Sequence, residues 1–192
     1  VESPEVLAGL ESIYAAGQKL ETMVRTMLTF QLSQSGTLEE TPQPTEIGPL
    51  LEEIADSARH AIAGRPIIVE PPEAPIEAVL VRAHCLEKAL QLLVNNAVAY
   101  TQTGRIRVRA DRVHGELRVS VADTGIGIDA AHHARLFEPF FQVDPVVGGN
   151  HGRLGLGLTY AKQFADALGA RISVDSEPGR GSLFTICIPE AP

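Results

Sequence analysis

The 192-residue chain carries 44% hydrophobic residues and a formal net charge of -8, which suits one full domain plus an appendage. That charge excludes nucleic acid or an anionic membrane surface as the main partner, since either needs a basic face, so any polyanion bound here must be held locally. No apolar run approaches the roughly 18 residues of a membrane span and no signal-peptide pattern opens the chain, so these residues are expected to make no membrane contact.

Residues 4 to about 34 read as one long helix. No proline follows Pro4, and Val6, Leu10, Ile13, Gly17, Leu20, Val24, Met27 and Gln31 recur at alternating spacings of four and three. Such a seam packs helices side by side. A single helix capping the domain is one reading and a bundle or dimer stalk the other; a second apolar edge at Leu7, Tyr14 and Leu28 favours the bundle. The segment 35–45, rich in Pro, Thr and Gly, reads as a linker with a short strand at Thr37 to Glu40. A compact domain is predicted over 46–192.

Within it, Thr45 is the expected cap of a helix over 46–63 that turns Ile47, Leu50, Leu51, Ile54 and Ala58 inward. Short apolar runs follow at Pro66 to Glu70 and Glu77 to Arg82, then a helix from 83 to 99. Two alternating runs, Ile106/Val108/Ala110 and Leu117/Val119/Val121, flank a turn at Gly115 and predict an antiparallel hairpin with one buried face. A helix over 155–168 and strands at 171–175 and 182–188 close the chain. Helices and strands arrive in blocks, which predicts an α+β sandwich with helices on one face of a mixed, mostly antiparallel sheet.

Cys85 and Cys187 stand in no CxxC or Cys/His cluster, so neither a disulfide framework nor a zinc site is expected and a reducing, cytoplasmic setting is. The chain opens on Val1 rather than methionine, as a piece of a longer protein would.

Chemistry concentrates in the second half. On the 83–99 helix, Leu86, Ala89, Leu90, Leu93 and Ala97 share one face, and Asn96 falls on or beside it. A buried amide without a partner costs about 1–3 kcal/mol. It therefore takes either a neighbouring backbone group or a ligand, while Asn95, about 100° around the helix, is expected in solvent. Asp123 ends an alternating strand on its inward face; it either accepts from a ligand or starts an Asx turn. Gly125 and Gly127 let backbone approach a bound group. A long irregular stretch between Pro139 and Gly155 reads as a lid. It runs into Gly155 and Gly157 at a helix start, where free amides and the helix dipole form either an anion site or only a glycine-rich turn. A Rossmann site is discounted because no strand leads into these glycines.

In order, Asn96, "DTGIGI" (123–128), "FEPFF" (137–141), "GRLGLGL" (152–158) and "SEPGRGSLFTICIP" (176–189) resemble the asparagine, phenylalanine and three glycine boxes of sensor histidine kinase catalytic domains. The resemblance covers about residues 41–190. It implies a Bergerat-type ATP site, with Asn96 holding Mg²⁺ against the phosphates and Asp123 accepting from the adenine amino group. It also puts Gly125 and Gly127 at the base pocket, Tyr100 near the adenine and Ser182 in support of Asp123. Gly152, Gly155, Leu156 and Gly157 would form the phosphate-facing end of the lid, and Phe137, Phe140 and Phe141 its hinge.

The long first helix resembles the second helix of the family's dimerisation and phosphoacceptor hairpin, which implies a homodimer through that helix and a response regulator receiver domain as partner. Two departures stand out. Leu92 and Ala99 occupy positions where the family often has an asparagine and a lysine, which predicts weaker ATP affinity or turnover unless Arg153, His151 or Lys162 substitutes. None of the six histidines (His60, His84, His114, His132, His133, His151) stands in the family's acceptor context, so the phosphoacceptor is expected on a helix outside these residues. The alternatives are a pseudokinase or scaffold that signals through its stalk, and a serine kinase of the anti-sigma type, which the long first helix disfavours.

Overall fold

A computed structural model describes Tyr14, Gly17 and residues 40–62, 64–73, 78–143 and 154–190. The helix predicted over 4–34, apart from Tyr14 and Gly17, which are both helical, lies outside the described residues. So do residues 37–39 of the predicted linker strand, the core of the lid and Gly152.

Seven strands and four helices follow in chain order among the described residues of the domain. Strand β1 (Gln43–Thr45) leads into helix α1 (Ile47–Ala61). Thr45 does not cap that helix. Glu46 holds the cap position without a side-chain bond, and the Thr45 hydroxyl donates to the Gln43 carbonyl at 3.0 Å. The reason is non-local: residues 43–45 pair antiparallel with β3 (Val79–Val81), Gln43 opposite Val81 and Thr45 opposite Val79, and ladder bonds outweigh a local capping preference.

The main sheet runs β2 (Ile67–Val69), β4 (Gly104–Val113), β5 (Glu116–Asp123), β7 (Gly181–Pro189), β6 (Arg171–Glu177). Only the β2–β4 pair is parallel. Because side chains alternate across a strand, Ile106, Val108, Ala110, Leu117, Val119, Val121, Phe184, Ile186 and Ile188 all fall on one buried face. The other face carries exposed Arg105, Arg107 and Arg109. Helix α2 (Ala83–Tyr100) lays Leu86, Ala89, Leu90, Leu93 and Ala97 into the same core, beside α1 and α4 (Gly157–Ala167). Each fully buried aliphatic side chain contributes about 1.5–3 kcal/mol before chain entropy is set against it.

The arrangement is thus the predicted α+β sandwich. The sequence reading did not contain α3 (Ala130–His133), a single turn started by Asp129, whose carboxylate accepts from the Ala131 amide at 2.8 Å. Both cysteines are free, Cys85 buried and Cys187 half-buried.

Candidate nucleotide-binding site

Helix α2 separates its two asparagines as a 3.6-residue period requires. Asn95 is exposed, and its side-chain oxygen accepts from the Gln91 amide at 3.1 Å. Asn96 is half-buried at the border of the apolar stripe, and among the described residues its amide has no hydrogen-bond partner. A half-buried amide left without a protein partner fits a cation that takes one protein oxygen and completes its shell with water and phosphate oxygens. No group of three or more His, Cys, Asp or Glu able to hold a metal occurs among the described residues.

The C-terminal end of α2 has no basic residue in its own last turn. Arg65, from the turn before β2, supplies one: its guanidinium donates to the Val98 carbonyl at 2.9 Å and to the Thr101 carbonyl. A cation on these carbonyls offsets the negative end of the helix dipole. Tyr100 lies between them, half-buried, and its carbonyl accepts from the Ile126 amide at 3.2 Å. Arg65→Ala should lower stability by about 1–2 kcal/mol, read as a shift in the urea midpoint at unchanged slope.

The loop after β5 is pressed between this helix end and the β6–β7 turn. A side chain at Gly125 would overlap the Tyr100 carbonyl oxygen, and one at Gly127 would overlap that of Glu177. Gly127 also has φ +68, a conformation with little cost only for glycine. The Gly179 amide donates to the Ile126 carbonyl at 2.7 Å and closes the turn onto the loop.

Asp123 is buried at the end of β5. Its Oδ1 accepts from the Gly125 amide at 2.8 Å, an Asx turn. Burial pushes its carboxyl above the usual aspartate value, against the backbone hydrogen bonds from Gly125 and Ser182. Ser182 stands opposite Asp123 in the β5–β7 ladder, but its hydroxyl lies 2.9 Å from the Ser176 hydroxyl. Ser176 is the hub here: its Oγ donates to the Gly181 carbonyl and accepts from the Ile128 amide, both at 2.8 Å. The sequence reading passed over Ser176, Gly181 and Arg65. The Ser176↔Ser182 pairing across the hairpin was the available signal for the first.

At the C-terminal end of the stretch read as a lid, Leu154 and Leu156 are buried. Gly155 has φ +68, and a Cβ there would fall 2.6 Å from the Phe141 carbonyl oxygen. It is therefore the backbone of Phe140 and Phe141 that seats this end. The Phe140 side chain is 60% exposed, contrary to its expected packing at the hinge, because its own φ of +63 turns it out. Phe141 lies under the Arg135 guanidinium, 4.4 Å from the ring centre, and Phe137 packs on the core. Gly157 starts α4 with open space around it. Lys162 is bound to Asp166 at 2.9 Å, so it is not turned to the site; His151 and Arg153 lie outside the described residues.

Helices α2 and α4 run antiparallel, since Arg82 at the start of one reaches the Ala167 carbonyl at the end of the other. Their opposite ends, Asn96–Tyr100 and Gly155–Gly157, thereby come to the same side of the domain as Asp123 and its loop. Fold and site together define the class: an ATPase domain of the Bergerat type rather than a Rossmann fold.

Residues 82–192 match the family described as Histidine kinase-, DNA gyrase B-, and HSP90-like ATPase, and the chain belongs to that family. The chain is 32% identical over 184 residues to the phosphate regulon sensor protein PhoR of Pseudomonas aeruginosa, covering 95% of this chain and 42% of that protein. It is 45% identical over 106 residues to the sensor histidine kinase RcsC of Escherichia coli, covering 54% and 11%. Full-length ShkA in complex with AMPPNP superposes with a TM-score of 0.75 at 27% identity, covering all of this chain and 40% of that one. The chain spans less than half the length of each. These likenesses place it with sensor histidine kinase catalytic, ATP-binding domains. No helix among the described residues is long and apolar enough to cross a membrane.

Proposed function

We propose that this domain binds Mg²⁺-ATP at the adjoining ends of α2 and α4 and passes the γ-phosphoryl group to a histidine outside these residues. The observation that carries the reading is the pair formed by a buried Asp123 carboxylate and a half-buried Asn96 amide with no partner among the described residues. Asp123 accepts from the adenine amino group, the Gly125–Gly127 backbone and Tyr100 shape the base pocket, and Ser182 holds Asp123 through its backbone. Gly152, Gly155, Leu156 and Gly157 bound the phosphates, and the Asn96 oxygen is the protein ligand for Mg²⁺. When bound, Mg²⁺ neutralises charge that builds on the phosphate oxygens. The imidazole nitrogen bonds to the γ-phosphorus as the bond to the β–γ bridging oxygen breaks, and ADP leaves. The AMPPNP bound to ShkA supports the nucleotide. By the same resemblance the chain pairs as a homodimer through its N-terminal helix, and the phosphoryl group goes on to a response regulator receiver domain.

The local settings of five histidines support an acceptor outside these residues. His60 bonds the Asp56 carbonyl and His84 faces Glu87, His114 sits in the β4–β5 turn, and His132 and His133 lie on α3. The test is to supply the preceding helix and follow labelled ATP. Acid-labile label on histidine is the expected result. No label marks a nucleotide-binding scaffold, and acid-stable label on a partner serine marks a kinase of the anti-sigma type.

Leu92 packs on the core and Ala99 is half-buried, so neither gives the triphosphate a polar contact. Ala99→Lys is expected to tighten Mg²⁺-ATP binding about 3- to 10-fold, roughly one charge-assisted hydrogen bond. Nucleotide titration checks this, and unchanged affinity removes the role assigned to the missing lysine.

A further inference from the structure

Helix α2 makes no side-chain cap of its own: Arg82 holds the N-cap position without a capping bond, and the first turn contains no acid. The cap comes from the linker. The Glu40 carboxylate accepts from the His84 amide, at 3.2 Å to one oxygen and 3.5 Å to the other. His84 is the second residue of the helix, where an N-cap oxygen ordinarily bonds, and a carboxylate there also meets the positive end of the dipole.

Arg82 closes the joint from the other side. Its Nε donates to the Glu40 carbonyl at 2.7 Å and its Nη1 to the Ala167 carbonyl, the last residue of α4. One guanidinium thus ties the linker to the start of α2 and the end of α4. The neighbouring β1–β3 ladder, Gln43↔Val81 to Thr45↔Val79, extends the same attachment. Asn96 lies fourteen residues beyond Arg82, about 21 Å along a rigid helix at 1.5 Å per residue. The joint and the nucleotide site therefore occupy opposite ends of one helix pair.

We propose that Glu40 and Arg82 are positioning residues for the nucleotide site, so that docking of the linker and occupation of the site favour each other. This rests on the nucleotide-binding reading above. A cap supplied from outside stabilises the first turn of α2 only while the capping segment is docked, and linkage makes the effect reciprocal: whatever fixes the far end of α2 and α4 also favours the docked linker.

The experiment uses the whole 192-residue chain, with AMPPNP and Mg²⁺ as the probe and amide hydrogen exchange as the readout. In the unaltered chain, nucleotide should slow exchange both at residues 95–101 and at the Gln43 and Thr45 amides. Glu40→Ala should weaken nucleotide binding about 3- to 10-fold, the size of a lost cap, and Glu40→Gln, which keeps an acceptor, should recover part of it. The double variant Glu40→Ala with Arg82→Asp gives α2 a local cap and removes the linker's side-chain ties to α2 and α4, leaving only the β1–β3 ladder. Nucleotide should then still protect 95–101 but no longer 43–45. Protection of 95–101 without 43–45 in the unaltered chain, or its survival at 43–45 in the double variant, overturns the proposal. So does unchanged affinity in Glu40→Ala. If no nucleotide binds at all, the nucleotide reading fails together with it.

Discussion

Asp123→Asn should lower ATP affinity roughly 100-fold, about 3 kcal/mol, while the domain stays folded. The asparagine oxygen can still accept from the Gly125 amide, as Oδ1 does at 2.8 Å. Its amide group, however, presents a donor where both the Ser182 backbone and an adenine amino group also donate. Burial already pushes this carboxyl up, more than its two backbone hydrogen bonds pull it down, so an uncharged isostere is less costly to bury. The variant's melting temperature should therefore match or exceed that of the parent. Calorimetry beside nucleotide titration separates this outcome from misfolding; equal affinities would remove Asp123 from base recognition.

The same shift fixes a pH dependence. With its folded-state value above the unfolded one, Asp123 binds more protons in the native state. It costs stability above the folded value and ceases to do so as pH falls toward the unfolded one. Nucleotide binding runs the other way, because recognition of the adenine amino group needs the carboxylate. Affinity should fall on acidification at a higher pH than an ordinary aspartate would allow, and the Asp123→Asn variant should lack that step.

Gly181→Ala should be the most disruptive conservative change in the site. Gly181 has φ +93, and a Cβ there would overlap the Asp123 carbonyl oxygen and come within 2.8 Å of the Thr124 Cα. The obstacle is backbone on both counts, so no side chain can rotate away. Left-handed strain of about 1–2 kcal/mol and overpacking of about 1–3 kcal/mol together predict a loss of about 3 kcal/mol or more. For a domain of this size that lowers the melting temperature by roughly 10 °C. Because Ser182 pairs with Asp123 one residue on, nucleotide affinity should fall as well. Gly157→Ala is the control: its Cβ would meet nothing, and its stability should be unchanged by the same melt.

The helix stripe of α2 and the alternation of β4 and β5 were legible because local periods of 3.6 and 2 record which face is buried. That periodicity sufficed to separate Asn96 from Asn95 and to turn Asp123 inward. Thr45 was misread because its strand partner, Val79, is distant in sequence. Phe140 was misread because a residue's φ leaves no mark in a hydrophobic pattern.

The residues missed altogether share one property. Arg65, Arg82 and Glu40 bond to backbone atoms of other segments, 33 to 85 positions away, and a backbone carbonyl or amide has no letter in the sequence. Ser176 acts through a hydroxyl shared across a hairpin.

The sequence by itself determined the α+β class, the buried faces and the order of the five motifs, since each rests on local periodicity and spacing. The tertiary structure alone decided that α2 is capped from the linker and from Arg65, that Ser176 anchors the Asp123 hairpin, and that Gly181 rather than Gly157 is fixed by packing. These depend on which distant backbone atoms meet, and only the folded chain brings them together.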